Sequence, residues 1–206
     1  MRSISKWLVA ITAVATAVAG QRYASAGFIG MPRELGQAVK RISFSNYTLP
    51  PMAFTQFCLR YVNQCKPQRI VFRGGPVGLT EERWEELTLV NGRVNASIVP
   101  ERNLEGLAGE KWLIAPARGD CNDYAVTKRA QLMKRGWPAR ALLLSEVVVP
   151  WGEHHLILVV RTSMGDLLLD NLTGQIRPWS RAPYQWVRIQ SPNNPNYWAF
   201  PGNRTA

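Results

Sequence analysis

The sequence predicts an α+β domain built on an antiparallel sheet. Apolar residues recur at helical spacing in the first half, through Phe54, Phe57, Cys58, Tyr61 and Val62 and again through Trp84, Leu87, Val94 and Ile98. From Ala141 onward the pattern changes to short apolar runs separated by Gly, Pro, Ser and Asn. The two kinds of segment do not alternate, and helices followed by strands in blocks pack as separate layers with an antiparallel sheet. A length of 206 residues suits one domain with an appendage. Residues 1–26 are read as that appendage and residues 27–206 as a single domain.

The appendage reads as a cleaved secretory signal. Arg2 and Lys6 precede the mostly apolar stretch Trp7 to Gly20, and Ala24-Ser25-Ala26 is a small-x-small cleavage site. The apolar stretch is short for a bilayer span. The net charge is +11. Arg2, Lys6 and Arg22 lie in the leader, so the remainder carries +8, three fewer than the whole chain. Its basic residues are scattered, no run exceeds two, and no nucleic-acid module is visible. No nucleic-acid partner is expected.

Residues 27–50 read as irregular, punctuated by Pro32, Gly36, Asn46 and Pro50-Pro51. The first helix follows, with Phe54, Phe57, Cys58, Tyr61 and Val62 as its apolar face. An exported chain meets an oxidising compartment. Of its three cysteines, Cys58 and Cys65 make the economical pair, which leaves Cys121 free. Seven residues of continuous helix would hold the two Cα atoms about 10.5 Å apart, and a disulfide needs less than about 7 Å. The helix must therefore end before Cys65, near Asn63 and Pro67. Residues 66–79 form a loop around Gly74-Gly75-Pro76, which is no phosphate loop, since no Lys-Ser or Lys-Thr follows. Thr80-Glu81-Glu82 opens the second helix with a capping hydroxyl and two acids, and Pro100 ends it. Glu101 to Arg118 reads as a linker. The third helix starts at Gly119-Asp120-Cys121-Asn122-Asp123-Tyr124-Ala125 and runs to about Lys134, stopped by Gly136 and Pro138. Strands are expected at Ala141 to Val149, His155 to Val160, Leu167 to Leu169, Gln185 to Ile189 and Tyr197 to Phe200.

The chemistry concentrates at the third helix. A cysteine acts as a nucleophile only as thiolate, and a helix N-terminus favours that anion. Cys121 stands there, with Asp120 placed to cap the helix. The chain has two histidines, His154 and His155, at the start of an apolar strand. Adjacent strand residues point to opposite faces, so only one can face Cys121. Both faces of the run are apolar, and periodicity leaves the choice open. Asp170 closes the next strand. A two-residue loop at Thr162-Ser163 sets it opposite His155, and a four-residue loop, Thr162 to Gly165, shifts the pairing by two. Either keeps it within imidazole reach. The triad serves peptide-bond hydrolysis or acyl transfer to an amine. A non-catalytic exported binding module is the remaining alternative.

These stretches resemble the bacterial transglutaminase-like cysteine peptidases, the LapG-type periplasmic proteases. The matching residues are Gly119 to Ala125 with Lys128, then His155-Leu156-Ile157-Leu158, then Leu169-Asp170-Asn171-Leu172, within roughly residues 80–180. The resemblance implies a papain-like/transglutaminase-like fold, with the nucleophile helix packed on an antiparallel sheet. It also implies Cys121 as nucleophile, His155 as general base and Asp170 as orienting acid. It implies a periplasmic enzyme that cleaves a large surface adhesin in biofilm control and is sequestered by a cyclic-di-GMP-responsive inner-membrane receptor. Calcium is implied as cofactor. Asp120 and Asp123 match the calcium-binding acids, and Asn122 stands where the family has a glutamate.

Overall fold

The sheet is built around the leucine-rich stretch at residues 142–144. The computed structural model describes residues 40–67 and 76–202; the leader, residues 1–26, and the Gly74-Gly75 pair lie outside them. Leu142–Val148 forms the central strand β4, and His154–Thr162 forms β5 beside it. Gly165–Leu169 is β6 and Arg177–Pro178 is β7, extending the sheet on that side. On the other side lie Gln185–Gln190 as β8, Trp198–Pro201 as β9 and Phe44–Thr48 as β1. The order is β1-β9-β8-β4-β5-β6-β7, with every pairing antiparallel.

Helices cover one face. They are α1, Met52–Arg60; α2, Val62–Cys65; α3, Glu81–Ser97; and α5, Cys121–Lys134. Against them pack Leu142, Leu144, Leu156, Leu158, Val160, Leu167 and Leu169. The alternate residues Leu143, Val147, Ile157, Val159 and Leu168 meet Ile42, Trp179, Ala182, Tyr184 and Ile189 on the other face. Burial on both faces explains why these strands read as continuous apolar runs. Each fully buried leucine contributes about 1.5–3 kcal/mol. The predicted α+β class, with the helix that begins at Cys121 packed on an antiparallel sheet, is the architecture observed.

Three local expectations change. Residues 27–50 were expected to be irregular, but Phe44–Thr48 is an edge strand paired with β9. Its residues are largely exposed, so it carries no alternating apolar signal. The expected linker Glu101 to Arg118 contains a short helix, α4 (Gly106–Gly109), and ends in β3 (Arg118–Gly119). That strand runs parallel to β2 (Val99–Pro100). The first helix breaks at Tyr61 (φ −121°, ψ 62°), earlier than Asn63, and Val62 is exposed. The break satisfies the geometric condition, and Cys58 and Cys65 form a disulfide with Cα atoms 5.5 Å apart.

The β5–β6 register takes one of the two alternatives that the sequence leaves open. Thr162 pairs with Gly165 across a Ser163-Met164 tip, and Leu158 pairs with Leu169. Asp170 therefore sits two positions from direct opposition to His155, the offset of the longer-loop alternative. Thr162 shapes this turn: its hydroxyl donates to the Gly165 carbonyl at 2.7 Å and accepts from the Met164 N–H at 3.1 Å. Gly165 has φ +106°, and a Cβ there would lie 2.8 Å from the Lys40 carbonyl oxygen, so glycine is required.

Candidate active site

A capping box fixes the start of α5. Asp120 is the N-cap, and its Oδ1 accepts from the Asn122 N–H at 3.0 Å. Asp123 reaches back, and its Oδ2 accepts from the Asp120 N–H at 3.1 Å. Its Oδ1 takes the Leu113 N–H at 2.7 Å, tying the preceding segment to the helix. A Cβ on Gly119 would fall 2.1 Å from that Asp123 Oδ2, so the residue before the cap has room only for hydrogen. Cys121 is the first helical residue, and no described hydrogen bond uses its own N–H. With Cys58 and Cys65 bonded to each other, Cys121 is the free thiol.

Burial pushes the Cys121 thiol up to about 12; the Leu156 backbone N–H opposes that shift, and the charges of Asp120, Glu110 and Glu153 add to it. The resting group is therefore the protonated thiol, which needs a base within reach to become a nucleophile.

His155 and Asp170 form a buried pair beside the same cavity. His155 Nε2 lies 2.9 Å from Asp170 Oδ1, and both residues are buried. Asp170 Oδ1 also accepts the Leu172 N–H at 3.0 Å, while Tyr184 Oη donates to its Oδ2 at 2.5 Å. Burial works against the Asp170 charge. The bonds from His155, Tyr184 and Leu172 and the attraction of His155 outweigh it, holding the carboxyl below its usual value. Asn95 Nδ2 donates to the Asp170 carbonyl at 2.9 Å and anchors its backbone to α3. His154 is exposed and differently engaged: its Nδ1 lies 2.6 Å from Glu146 Oε1, and Glu146 also accepts from Arg188.

Cys121, His154 and His155 line one cavity of about 430 Å³, together with Gly119, Asp120, Tyr124, Trp151, Asn171 and Leu172. It lies where α5 begins, at the β4–β5 turn and beyond the end of β6. Because it lies at the N-terminal end of β5, both histidines reach it. Strand parity therefore does not separate them; the Asp170 partnership does.

Tyr184 and Glu110, near the site, carry no sequence signal beyond their identity, and Lys128 carries only its place in the family resemblance. Tyr184 lies fourteen residues past Asp170 in a proline-flanked segment, and only the fold brings them together. Glu110 Oε1 accepts from Trp112 Nε1 at 3.1 Å and from Asn122 Nδ2. Lys128 is fully buried on α5. Burial lowers its amine to about 7, with the Asp170 charge opposing.

The expected calcium acids, Asp120 and Asp123, are engaged otherwise. Three of their oxygens accept backbone N–H groups, the pattern of a helix cap. Among the described residues no group of three or more His, Cys, Asp or Glu is placed to hold a metal. Calcium binds six to eight oxygens, and the acids present do not fit such a site as arranged.

A family model described as bacterial transglutaminase-like cysteine proteinase matches residues 44–204. Among solved structures, calcium-bound LapG of Legionella pneumophila is 22% identical, covering 58% of this chain and 71% of that one, with a TM-score of 0.49. EGTA-treated LapG is 23% identical, with coverages of 59% and 69% and a TM-score of 0.48. A further LapG structure is 24% identical, with coverages of 51% and 62% and a TM-score of 0.44. The chain thus spans between 62% and 71% of the length of these solved chains. No curated protein matches.

Proposed function

Because the chain belongs to the bacterial transglutaminase-like cysteine proteinases, and so is a cysteine peptidase, we propose that it cleaves peptide bonds with Cys121, His155 and Asp170. The observation that carries this reading is the buried His155–Asp170 pair at the edge of the cavity that holds the free thiol. Asp170 engages Nε2, which leaves Nδ1 as the ring nitrogen for the thiol proton. Cys121 Sγ attacks the scissile carbonyl carbon as His155 takes its proton, so little free thiolate accumulates beforehand. The uncommitted Cys121 N–H, at the positive end of α5, is the donor for the developing oxyanion. Collapse expels the amine, which leaves with the proton from His155. Water then attacks the acyl-thioenzyme, again with His155 as base, and releases the acid and the free thiol.

We further read the enzyme as exported and periplasmic, through residues 1–26, with a large surface adhesin as its first candidate substrate. A cyclic-di-GMP-responsive inner-membrane receptor is its candidate regulator. The resemblance of residues 119–125, 155–158 and 169–172 supports these assignments. Among the described residues no helix is long and apolar enough to cross a membrane. No step is routed through calcium, because Asp120 and Asp123 are committed to the helix cap.

The test is cleavage of a candidate adhesin by wild type and by Cys121→Ala. The variant is expected to lose cleavage by at least a thousandfold, the scale on which loss of a covalent nucleophile falls (about 10³ or more). Cleavage by the variant at the wild-type rate would sink the reading. Adding a primary amine separates hydrolysis from acyl transfer: a hydrolase leaves the cleaved carboxyl end unmodified.

A further inference from the structure

We propose that Tyr184 is a positioning residue of this peptidase, one that sets the orientation of His155 by gripping the far oxygen of Asp170. The inference rests on the triad reading above and adds a fourth member to it.

Tyr184 holds the pair in two ways. Its hydroxyl donates to Asp170 Oδ2 at 2.5 Å, while Oδ1 faces His155 Nε2 at 2.9 Å. The carboxylate is thus held at both oxygens and cannot rotate without losing one partner. The Tyr184 ring also meets the His155 ring edge-on, with centroids 6.1 Å apart and planes at 69°. An edge-to-face contact of that kind resists rotation of the imidazole. The same side chain therefore restrains the acid through its hydroxyl and the base through its ring. Tyr184 is 9% exposed. Burial and the carboxylate that it faces push its hydroxyl up from the usual tyrosine value, so it remains a donor wherever the enzyme works.

Other charges face this cluster. Lys128 acts on Asp170 from α5, and Arg177 acts on Tyr184 from β7. Neither has a described hydrogen bond to the Asp170 side chain, whose described side-chain donors are His155, Tyr184 and the Leu172 N–H. A core tyrosine merely satisfying its hydroxyl would need one acceptor. It would not need to grip the acid and also meet the base of the same pair edge-on.

The experiment uses alkylation of Cys121 by iodoacetamide as a function of pH, since this reads the thiol–imidazole pair without a substrate. Wild type, Tyr184→Phe, Asp170→Asn, the double variant and His155→Ala are compared, each with its thermal midpoint. Tyr184→Phe keeps the ring and removes only the hydroxyl. It is expected to slow alkylation about tenfold, the effect of one charge-assisted hydrogen bond, and to displace the pH profile. The loss should vanish in the Asp170→Asn background, because the hydroxyl acts only through that carboxylate. A loss of equal size in both backgrounds, or a wild-type profile for Tyr184→Phe, overturns the proposal. His155→Ala separates it from the triad reading. If His155→Ala leaves alkylation unchanged, the triad fails. If His155→Ala slows alkylation and Tyr184→Phe does not, only the role of Tyr184 fails.

Discussion

Lys128 shows how far a single residue can depart from its solution chemistry. It lies on α5, fully buried, with no hydrogen-bond partner for its Nζ among the described residues, and burial lowers its amine from 10.5 to about 7. The unfolded chain then binds the proton more tightly than the folded one. Between about pH 7 and 10.5 the unfolded state carries more protons, so stability rises with pH across that window. Lys128→Met keeps the stem and removes the charge. It is expected to raise stability at pH 7 by roughly 1–3 kcal/mol, the cost of burying a poorly partnered polar group, and by less at pH 10. Urea denaturation at the two pH values measures this, and an equal gain at both would refute the account. Cys121 is the counterpart on the same helix. Its thiol is also pushed toward its neutral form by burial, so on the proposed mechanism its reactivity rests on His155 rather than on its own acidity.

At the scale of the element, the capping box of α5 holds the thiol in place. Asp120 and Asp123 secure each other's backbone N–H groups, and Asp123 also secures Leu113. Gly119 makes room for that arrangement. Gly119→Ala forces its methyl onto Asp123 Oδ2, part of a carboxylate held by the Asp120 N–H at Oδ2 and the Leu113 N–H at Oδ1. The expected result is loss of the cap, worth about 0.5–2 kcal/mol, together with slower alkylation of Cys121. A variant with unchanged melting and unchanged thiol reactivity would show that the helix start adapts freely. Cap and helix were both legible beforehand, because Asp120 ahead of a helical run and Gly136-x-Pro138 after it are local signals. The edge strand β1 was not legible, since Phe44–Thr48 is mostly exposed and its pairing partner lies at the far end of the chain.

Across the whole molecule, the helical layer is stapled to itself and to the sheet. The disulfide joins α1 to α2, and the buried Arg129 on α5 donates to the Gln64 carbonyl at 2.8 Å and to the Leu142 carbonyl at 3.0 Å. Arg129 thus connects the disulfide loop, α5 and the first residue of β4. Replacing Cys58 and Cys65 together with alanine is expected to cost about 2–3 kcal/mol, the loop-closure term for so short a loop. Cys121 alkylation should stay at the wild-type rate, because the cap and the Arg129 bond to the Leu142 carbonyl hold α5 without the disulfide loop. A parallel fall in reactivity would mean that the disulfide orders the site itself.

The sequence by itself determined the α+β class, the helix start at Cys121, the Cys58–Cys65 pair and the free thiol. Each follows from local spacing: the period of apolar residues, the capping chemistry, and the reach of a disulfide against the rise of a helix. The order and offset of the strands were decided only by the tertiary structure; the pairing of His155 rather than His154 with Asp170, implied beforehand by resemblance alone, has its physical reason there too. Alternation along β5 could not choose between the two histidines, because both faces of the strand are buried and apolar. The choice came from a turn that sets the register two positions along, and from Tyr184, which reaches Asp170 from a different part of the chain.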